Sequence, residues 1–301
     1  MESNHGAEQG ANNSRISADN AAQDAAQKPA QSSASGSSMS LEDYLPIDDH
    51  VEEVSEGGVK VRRKGVYLLP NLFTSAALFA GFYAVIAAIN GDFSAAGLAI
   101  FFGQLLDGVD GRVARMTNTQ SKFGQEYDSL SDMVAFGVAP AVIMFMWCLS
   151  SLGKLGWAVA FIYVAAAAIR LARFNAQADD TDKRYFVGLA SPPAATLIAS
   201  TVWLGHELGF EVTSLPFAVQ IVFALQIALV GFLMVSNVRY HSFKGIDFHG
   251  RVPFVALFLF LLLLGLVAAD PPRVLFIIAV TYALSGPIAA VCRRLSGAPV
   301  S

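Results

Sequence analysis

Long apolar runs separated by short polar segments dominate the chain from residue 66 onward. About 20 apolar residues in an α-helix cross the hydrocarbon core of a bilayer, so each run predicts a membrane-spanning helix. Eight such helices are predicted at residues 68–90, 94–115, 129–149, 156–175, 193–208, 216–237, 252–269 and 273–292. The second becomes amphipathic towards its end, and the fifth is short. The predicted fold class is therefore all-α, a polytopic transmembrane helix bundle.

The first 60 residues have a different pattern, with no sustained apolar run. They are rich in Ser, Ala, Gln, Asn, Asp and Glu. A segment of this composition buries too little apolar surface to offset the entropy lost on ordering. We therefore expect residues 1–60 to form a disordered tail, with a short helix at residues 41–45 as the alternative. Residues 61–301 are expected to form one membrane domain.

The overall composition supports a membrane protein. Hydrophobic residues make up 54% of the 301 residues and charged residues only 15%, whereas a soluble domain carries about a quarter charged residues. The two cysteines, Cys148 and Cys292, are too few and too far apart for a metal cluster or a disulfide framework.

The placement of Lys and Arg predicts the orientation in the membrane, because cytoplasmic segments carry an excess of these residues. With the N-terminus in the cytoplasm, the basic segments near residues 62–64, 112–122, 170–184, 239–251 and 293–294 all fall on the cytoplasmic side. The opposite side receives only Lys154 and Arg273. Because the helix count is even, both termini are expected in the cytoplasm.

Four aspartates concentrate in one part of the apolar sequence, where ionisable groups are costly and mark function. Residues spaced i, i+3, i+4, i+7 and i+8 share one helical face, and this spacing joins Asp107, Asp110, Gly111, Ala114 and Arg115. On the next helix, a shared face is predicted for Gly124, Asp128 and Asp132. A short polar turn at residues 118–121 connects the two helices. The hairpin therefore aims four carboxylates at one another near the cytoplasmic end of the bundle.

Carboxylates packed this closely repel one another unless they share a cation or a proton. Their oxygen atoms suit Mg²⁺, Mn²⁺ or Ca²⁺. The small Gly111 and Ala114 leave room for a ligand near the helix backbone, and the Arg115 guanidinium suits phosphate. These features indicate a diphosphate site, but a cation or proton pathway also explains the acids. The residues alone leave both phosphate chemistry and ion transport open.

The same segment resembles the signature of the CDP-alcohol phosphatidyltransferase family, D-x-x-D-G-x-x-A-R-x8-G-x3-D-x3-D. All eight fixed positions are present: Asp107, Asp110, Gly111, Ala114, Arg115, Gly124, Asp128 and Asp132. The resemblance implies the family's fold of six or more membrane helices, and it implies a homodimer. It also implies that an alcohol displaces CMP from a CDP-linked lipid.

The resemblance further implies roles for individual residues. Asp107, Asp110 and Asp128 are expected to hold Mg²⁺ or Mn²⁺. Asp132 is expected to bridge to a second ion and to act as the general base, a role that suits a carboxylate held among others. The nucleotide and its diphosphate are expected near Gly111, Ala114, Arg115, Gly124, Asn71 and Thr74. The last two belong to a Pro-Asn-x-x-Thr element at the start of the first helix, although Pro and Asn are also ordinary at helix starts.

The acceptor alcohol is indicated by three other segments. Residues 67–84, 127–141 and 170–175 resemble the serine-using branch of the family. This implies transfer of the phosphatidyl group from CDP-diacylglycerol to L-serine, with phosphatidylserine and CMP as products. Arg170 and Arg173 are three residues apart, hence near one helical face, and are candidates for binding the serine carboxylate. They also fit the cytoplasmic excess of basic residues or a contact with anionic lipid.

The expected partners are CDP-diacylglycerol, L-serine, membrane lipids and a second copy of the chain, with no nucleic acid. The expected location is the cell (inner) membrane, with the active site on the cytoplasmic side. Two alternatives stay open: another acceptor (glycerol phosphate, inositol phosphate or choline), or an ion-coupled transporter. The paired arginines argue against the cationic choline. The clustering of the acids at one end of the bundle argues against a transport pathway.

Two prolines in the segment GLASPPAA (188–195) predict a rigid turn beside the site.

Overall fold

The apolar runs form helices in the structure, a computed structural model. The structure describes residues 51–56, 59–64, 68–116, 122–176, 185–210, 215–241 and 254–295. Residues 50–301 belong to one compact unit. Its helices in the described ranges are α1 (Leu68–Ile89), α2 (Phe93–Met116), α3 (Lys122–Trp147), α4 (Lys154–Ala176), α5 (Ser191–Glu207), α6 (Phe217–Val235), α7 (Phe254–Ala269) and α8 (Pro271–Leu295).

These helices confirm the predicted helix bundle, and α1, α3, α4, α6 and α8 contain segments long and apolar enough to cross a membrane. Helix α2 carries aspartates in its second half, while α5 and α7 have only 17 and 16 residues. The protein is therefore a multi-pass membrane protein. The predicted third helix begins earlier than expected, at Lys122, because the polar segment 122–132 is itself helical.

Four short strands accompany the helices. Strands β1 (Val51–Glu56) and β2 (Val59–Lys64) pair antiparallel, and β3 (Tyr185–Val187) pairs antiparallel with β4 (Arg239–His241). Residues 51–60, which we expected to belong to a disordered tail, thus include β1 and the start of β2. Residues 1–50, including the alternative helix at 41–45, lie outside the described residues.

A close crossing between α1 and α3 brings the first helix against the acidic part of the third. A Cβ added at Gly81 would lie 2.6 Å from the Cα of Ala135, so only glycine fits at this contact. Buried alanines, among them Ala77 and Ala84, continue the same side of α1. Helices in a bilayer associate through close van der Waals packing, which small residues permit.

Helix α3 widens into a π-helical turn at Met133–Val138, directly after Asp132. The carbonyl of Phe136 in this turn accepts a hydrogen bond from the hydroxyl of Tyr163 on α4, at 3.0 Å. Such turns are rare and occur mostly at functional sites. The turn is thus held by α4, the helix that also carries Arg170.

The start of α5 is fastened to the end of α6. The backbone N–H of Gly188 donates to Val238, at 2.8 Å, and that of Leu189 donates to Leu233, at 3.0 Å. Gly188 has φ +81°, and a Cβ there would meet the Met234 carbonyl at 2.3 Å. With prolines in the first turn of α5, this segment is the fixed turn that the sequence predicts at residues 188–195.

Gly81→Ala is expected to destabilise the protein, because the added methyl group meets the α3 backbone. Overpacking of this kind costs about 1–3 kcal/mol. Gly265→Ala on α7 is the matched control, since a Cβ there meets nothing within 4 Å. Thermal unfolding of the purified protein in detergent should give a lower midpoint for Gly81→Ala than for the control. Equal midpoints would contradict the close crossing of α1 and α3.

Candidate functional site

The four predicted aspartates meet where α2 lies beside α3. Helix α2 carries Asp107 and Asp110, and α3 carries Asp128 and Asp132. One carboxylate oxygen from each of Asp107, Asp110 and Asp128 lies within 4.8 Å of the others. The side chain of Asp132 joins this group through a hydrogen bond with Asp107. Two carboxyl groups this close must share either a proton or a cation.

The arrangement of the carboxylates fits a divalent metal ion. The Oδ1 atom of Asp128 is buried and meets no hydrogen-bond donor among the residues that the structure describes. Leaving a charged oxygen buried without a partner is costly, and a cation removes that cost. An all-oxygen set of ligands also matches the preference of hard divalent ions. The cluster can therefore hold a metal ion.

Helix α1 supports the cluster through Thr74, which is only 4% exposed. The Thr74 hydroxyl lies 2.9 Å from Oδ2 of Asp110 and donates a hydrogen bond to it. The backbone carbonyl of the same residue accepts a hydrogen bond from the Ser131 hydroxyl, at 3.0 Å. Thr74 therefore links α1 to both aspartate-bearing helices. The sequence predicted Thr74 at the nucleotide site, and in the structure its hydroxyl is hydrogen-bonded to Asp110.

Asn71 lies in the first turns of α1, half-buried. Its carbonyl accepts a hydrogen bond from the Ser75 hydroxyl at 2.8 Å, and that hydroxyl lies 2.8 Å from the hydroxyl of Tyr127. Because Tyr127 directly precedes Asp128, this contact fixes α1 against the start of α3. Sequence reasoning did not single out Ser75 or Tyr127.

The small residues of the motif lie on the same two helices. Gly111 follows Asp110 on α2, Gly124 lies one turn before Asp128 on α3, and both are half-buried. Ala114 and Arg115 continue α2, but their side chains lie outside the described part of the structure, as does the predicted turn at 118–121. The described residues of the motif therefore lie on α2 and α3, the two helices on which the spacing predicted them.

Arg170 on α4 lies within electrostatic range of the fourth aspartate. Its positive charge acts on the carboxylate of Asp132. One end of the guanidinium is fixed, because NH1 donates to the hydroxyl of Ser191 at 2.8 Å. Its Nε–H is buried and finds no acceptor within the described ranges. Tyr282 on α8 also belongs to the electrostatic surroundings of this arginine. The charge that acts on Asp132 thus belongs to a side chain with an unused buried donor.

Arg173 does not share this position. Its NH2 donates to Oδ1 of Asn237 at 2.9 Å, in an exposed contact beyond the end of α6. The two arginines predicted as a pair thus have different partners. Asn175, two residues further on, exchanges hydrogen bonds with the Ser129 hydroxyl and ties the end of α4 to α3.

Sequence reasoning missed the residues that connect different helices. Ser131, Ser191 and Tyr282 are far from their partners along the chain, so no local spacing identifies them. The only available signal was their polarity within largely apolar helices. Ser131 also stands next to Asp132, which could have drawn attention to it.

The helices that carry these aspartates lie within a segment that is similar to known proteins. Residues 67–206 match the model of a family described as CDP-alcohol phosphatidyltransferase. The CDP-diacylglycerol–serine O-phosphatidyltransferase of Helicobacter pylori is 39% identical over 223 residues, which cover 74% of this chain and 91% of that protein. The protein of that name from Mycobacterium tuberculosis is 38% identical over 154 residues, which cover 49% of this chain and 54% of that protein. The protein of that name from Methanocaldococcus jannaschii is 31% identical over 189 residues, which cover 63% of this chain and 81% of that protein.

Thr74→Val is expected to weaken Mn²⁺ binding, because Asp110 loses its side-chain hydrogen-bond donor and keeps only the backbone N–H of Gly111 among the described donors. Loss of such a supporting partner lowers metal affinity by roughly 10–100-fold. Thr74→Ser keeps the hydroxyl and should bind Mn²⁺ as the unchanged protein does. Electron paramagnetic resonance can measure Mn²⁺ binding in detergent without nucleotide. Unchanged affinity in Thr74→Val would contradict a supporting role and favour a contact with nucleotide alone.

Proposed function

Since this chain belongs to the CDP-alcohol phosphatidyltransferase family, we propose that it transfers the phosphatidyl group of CDP-diacylglycerol to L-serine. The products are phosphatidylserine and CMP. The relatives named above support serine as the acceptor, since each is named as a CDP-diacylglycerol–serine O-phosphatidyltransferase. The match to the Helicobacter pylori protein extends over 91% of its length, so it supports the whole activity rather than one segment.

Asp107, Asp110 and Asp128 hold Mg²⁺ or Mn²⁺ in this proposal. The bound ion neutralises charge on the diphosphate and stabilises CMP as a leaving group. The three carboxylate oxygens within 4.8 Å of one another support this assignment. The nucleotide and diphosphate lie along the face made by Gly111, Ala114, Arg115, Gly124 and Asn71. Thr74 acts on this site through Asp110.

Asp132 is the general base. It takes the proton from the serine hydroxyl as the serine oxygen bonds to the phosphorus of the phosphatidyl group. The bond between that phosphorus and the oxygen of CMP breaks, and CMP leaves with the electron pair. Its place at the edge of the three carboxylates supports this role, because a carboxylate held among others is suited to take a proton. The bridge from Asp132 to a second ion stays a prediction.

The structural observation that bears on the acceptor is the positive charge of Arg170, which acts on Asp132 and favours an acceptor with an anionic group. Serine has both a carboxylate and a hydroxyl group. A carboxylate bound at the buried Nε–H of Arg170 leaves the hydroxyl within reach of a base next to that arginine. A cationic acceptor such as choline would meet repulsion there. Arg173, bound to Asn237, is the weaker of the two carboxylate candidates.

The site is proposed to face the cytoplasm from the cell (inner) membrane, with both termini on the same side. The basic residues around the aspartates support this orientation, because cytoplasmic segments carry the excess of Lys and Arg.

A cysteine introduced at Arg112, which is exposed on α2, should react with an impermeant thiol reagent only from the cytoplasmic side. Reaction from the other side would reverse the orientation. The homodimer stays a prediction of the family resemblance.

The test of the proposed function is CMP release by the purified chain with CDP-diacylglycerol, Mg²⁺ or Mn²⁺, and one acceptor at a time. We expect release that depends on both L-serine and metal, with phosphatidylserine as the lipid product. Ethanolamine, which lacks the carboxylate, should be a poor acceptor. Release with glycerol phosphate, inositol phosphate or choline but not with serine would overturn the acceptor. No metal-dependent release with any acceptor would overturn the transfer reaction.

Asp132→Asn is expected to lower turnover by about 10²–10⁴-fold, because the variant cannot accept the proton of the attacking hydroxyl. Its thermal unfolding midpoint should stay close to that of the unchanged protein, since asparagine has nearly the same shape. Asp92→Asn is a control at the other end of α2, where Asp92 accepts a hydrogen bond from the Ala95 backbone. Near-normal turnover of Asp132→Asn would reject the base role.

A further inference from the structure

Ser191 is the first residue of α5 and has no exposed surface. Its hydroxyl accepts a hydrogen bond from NH1 of Arg170, at 2.8 Å. A guanidinium group is a rigid plane with five N–H donors, so fixing one nitrogen restricts where the others point. The Nε–H is a buried donor of this group that has no acceptor among the described residues. Ser191 therefore restricts where this free donor points, in a guanidinium whose charge acts on Asp132.

The position of Ser191 depends in turn on Gln104 of α2. The Gln104 side-chain amide lies 2.7 Å from the hydroxyl of Thr196 and also donates to the carbonyl of Pro192, the residue after Ser191. A second hydrogen bond of 2.8 Å joins the Thr196 hydroxyl to Oε1 of Gln104. The first turn of α5 is thus bound to α2 through both a side chain and the backbone.

Gln104 stands one helical turn before Asp107, so α2 carries a proposed metal ligand and this contact within four residues. The path of contacts runs from α2 through Gln104 to the first turn of α5, and from Ser191 to Arg170 on α4. It ends beside Asp132. The same helix that holds the metal therefore also fixes the arginine proposed to hold the acceptor.

We infer that Ser191 and Gln104 are positioning residues for the acceptor: they hold Arg170 so that an acceptor carboxylate binds with its hydroxyl towards Asp132. This inference rests on the proposed function, because it takes the acceptor to carry a carboxylate. It adds a physical basis for selecting that acceptor. Neither residue touches CDP-diacylglycerol in this account, so their loss should affect the two substrates differently.

The test compares steady-state kinetics of Ser191→Ala with those of the unchanged chain in detergent. A hydrogen bond to a charged group corresponds to about a tenfold or larger change in binding. The KM for L-serine should rise about tenfold, while the KM for CDP-diacylglycerol stays within about twofold. Ser191→Thr keeps a hydroxyl and should restore much of the serine affinity. Ser200→Ala is the matched control, because Ser200 is a buried serine of α5 whose hydroxyl bonds within its own helix.

Gln104→Leu gives a second and independent measurement. We expect about a threefold rise in the KM for L-serine, because a neutral hydrogen bond contributes less than one to a charged group. Gln226→Leu is its control, since Gln226 of α6 forms the same kind of bond with Thr201 of α5, at 2.7 Å. The control should leave the KM for both substrates unchanged. This comparison separates loss of a general helix contact from loss of the contact that supports Ser191.

Three results would overturn the inference. In the first, CMP release depends on serine, but neither Ser191→Ala nor Gln104→Leu changes the KM for L-serine. That result would leave the proposed function intact. The second is an equal rise in the KM for both substrates, which indicates a merely structural role. The third is an unchanged chain that releases no CMP with serine, which overturns the proposed function and this inference together.

Discussion

Four carboxylates repel one another at one end of an apolar helix bundle, and the fold must offset that repulsion. Each carboxylate favours solvent over the membrane interior, and together they repel unless a cation or a proton lies among them. The orphaned Oδ1 of Asp128 shows where the described residues supply no compensation. A metal ion held among these carboxylates would meet that electrostatic requirement.

The surrounding helices keep the carboxylates together despite their repulsion. Gly81 lets α1 approach α3 closely enough for Thr74 to donate to Asp110 and to accept from Ser131. On the other side, Arg170 brings a positive charge to Asp132, and Ser191 holds that arginine in place. The proposed metal side and the proposed acceptor side of the site are therefore supported by different helices, with α2 common to both.

Features set by neighbouring residues could be predicted from the sequence, whereas contacts between residues far apart in the chain could not. Hydrophobic runs located the helices because burial in lipid depends on length and composition, and the 3.6-residue period placed the aspartates on facing sides. The apolar run placed the third membrane helix at 129–149 because its first turns are polar, whereas the predicted face shared by Gly124, Asp128 and Asp132 agrees with the start at Lys122. Strands β1 and β2 were missed because the composition of residues 1–60 was read as a whole. Contacts such as Thr74 with Asp110, or Arg170 with Ser191, depend on how helices cross, which no local pattern encodes.

The most direct test of the central claim is anomalous diffraction from crystals of the protein grown with Mn²⁺ and CDP-diacylglycerol. We expect an anomalous peak about 2.0–2.6 Å from carboxylate oxygens of Asp107, Asp110 and Asp128, the range expected for hard divalent ions, with the lipid diphosphate beside it. A bound nucleotide without such a peak, or a peak away from these three aspartates, would contradict the central claim.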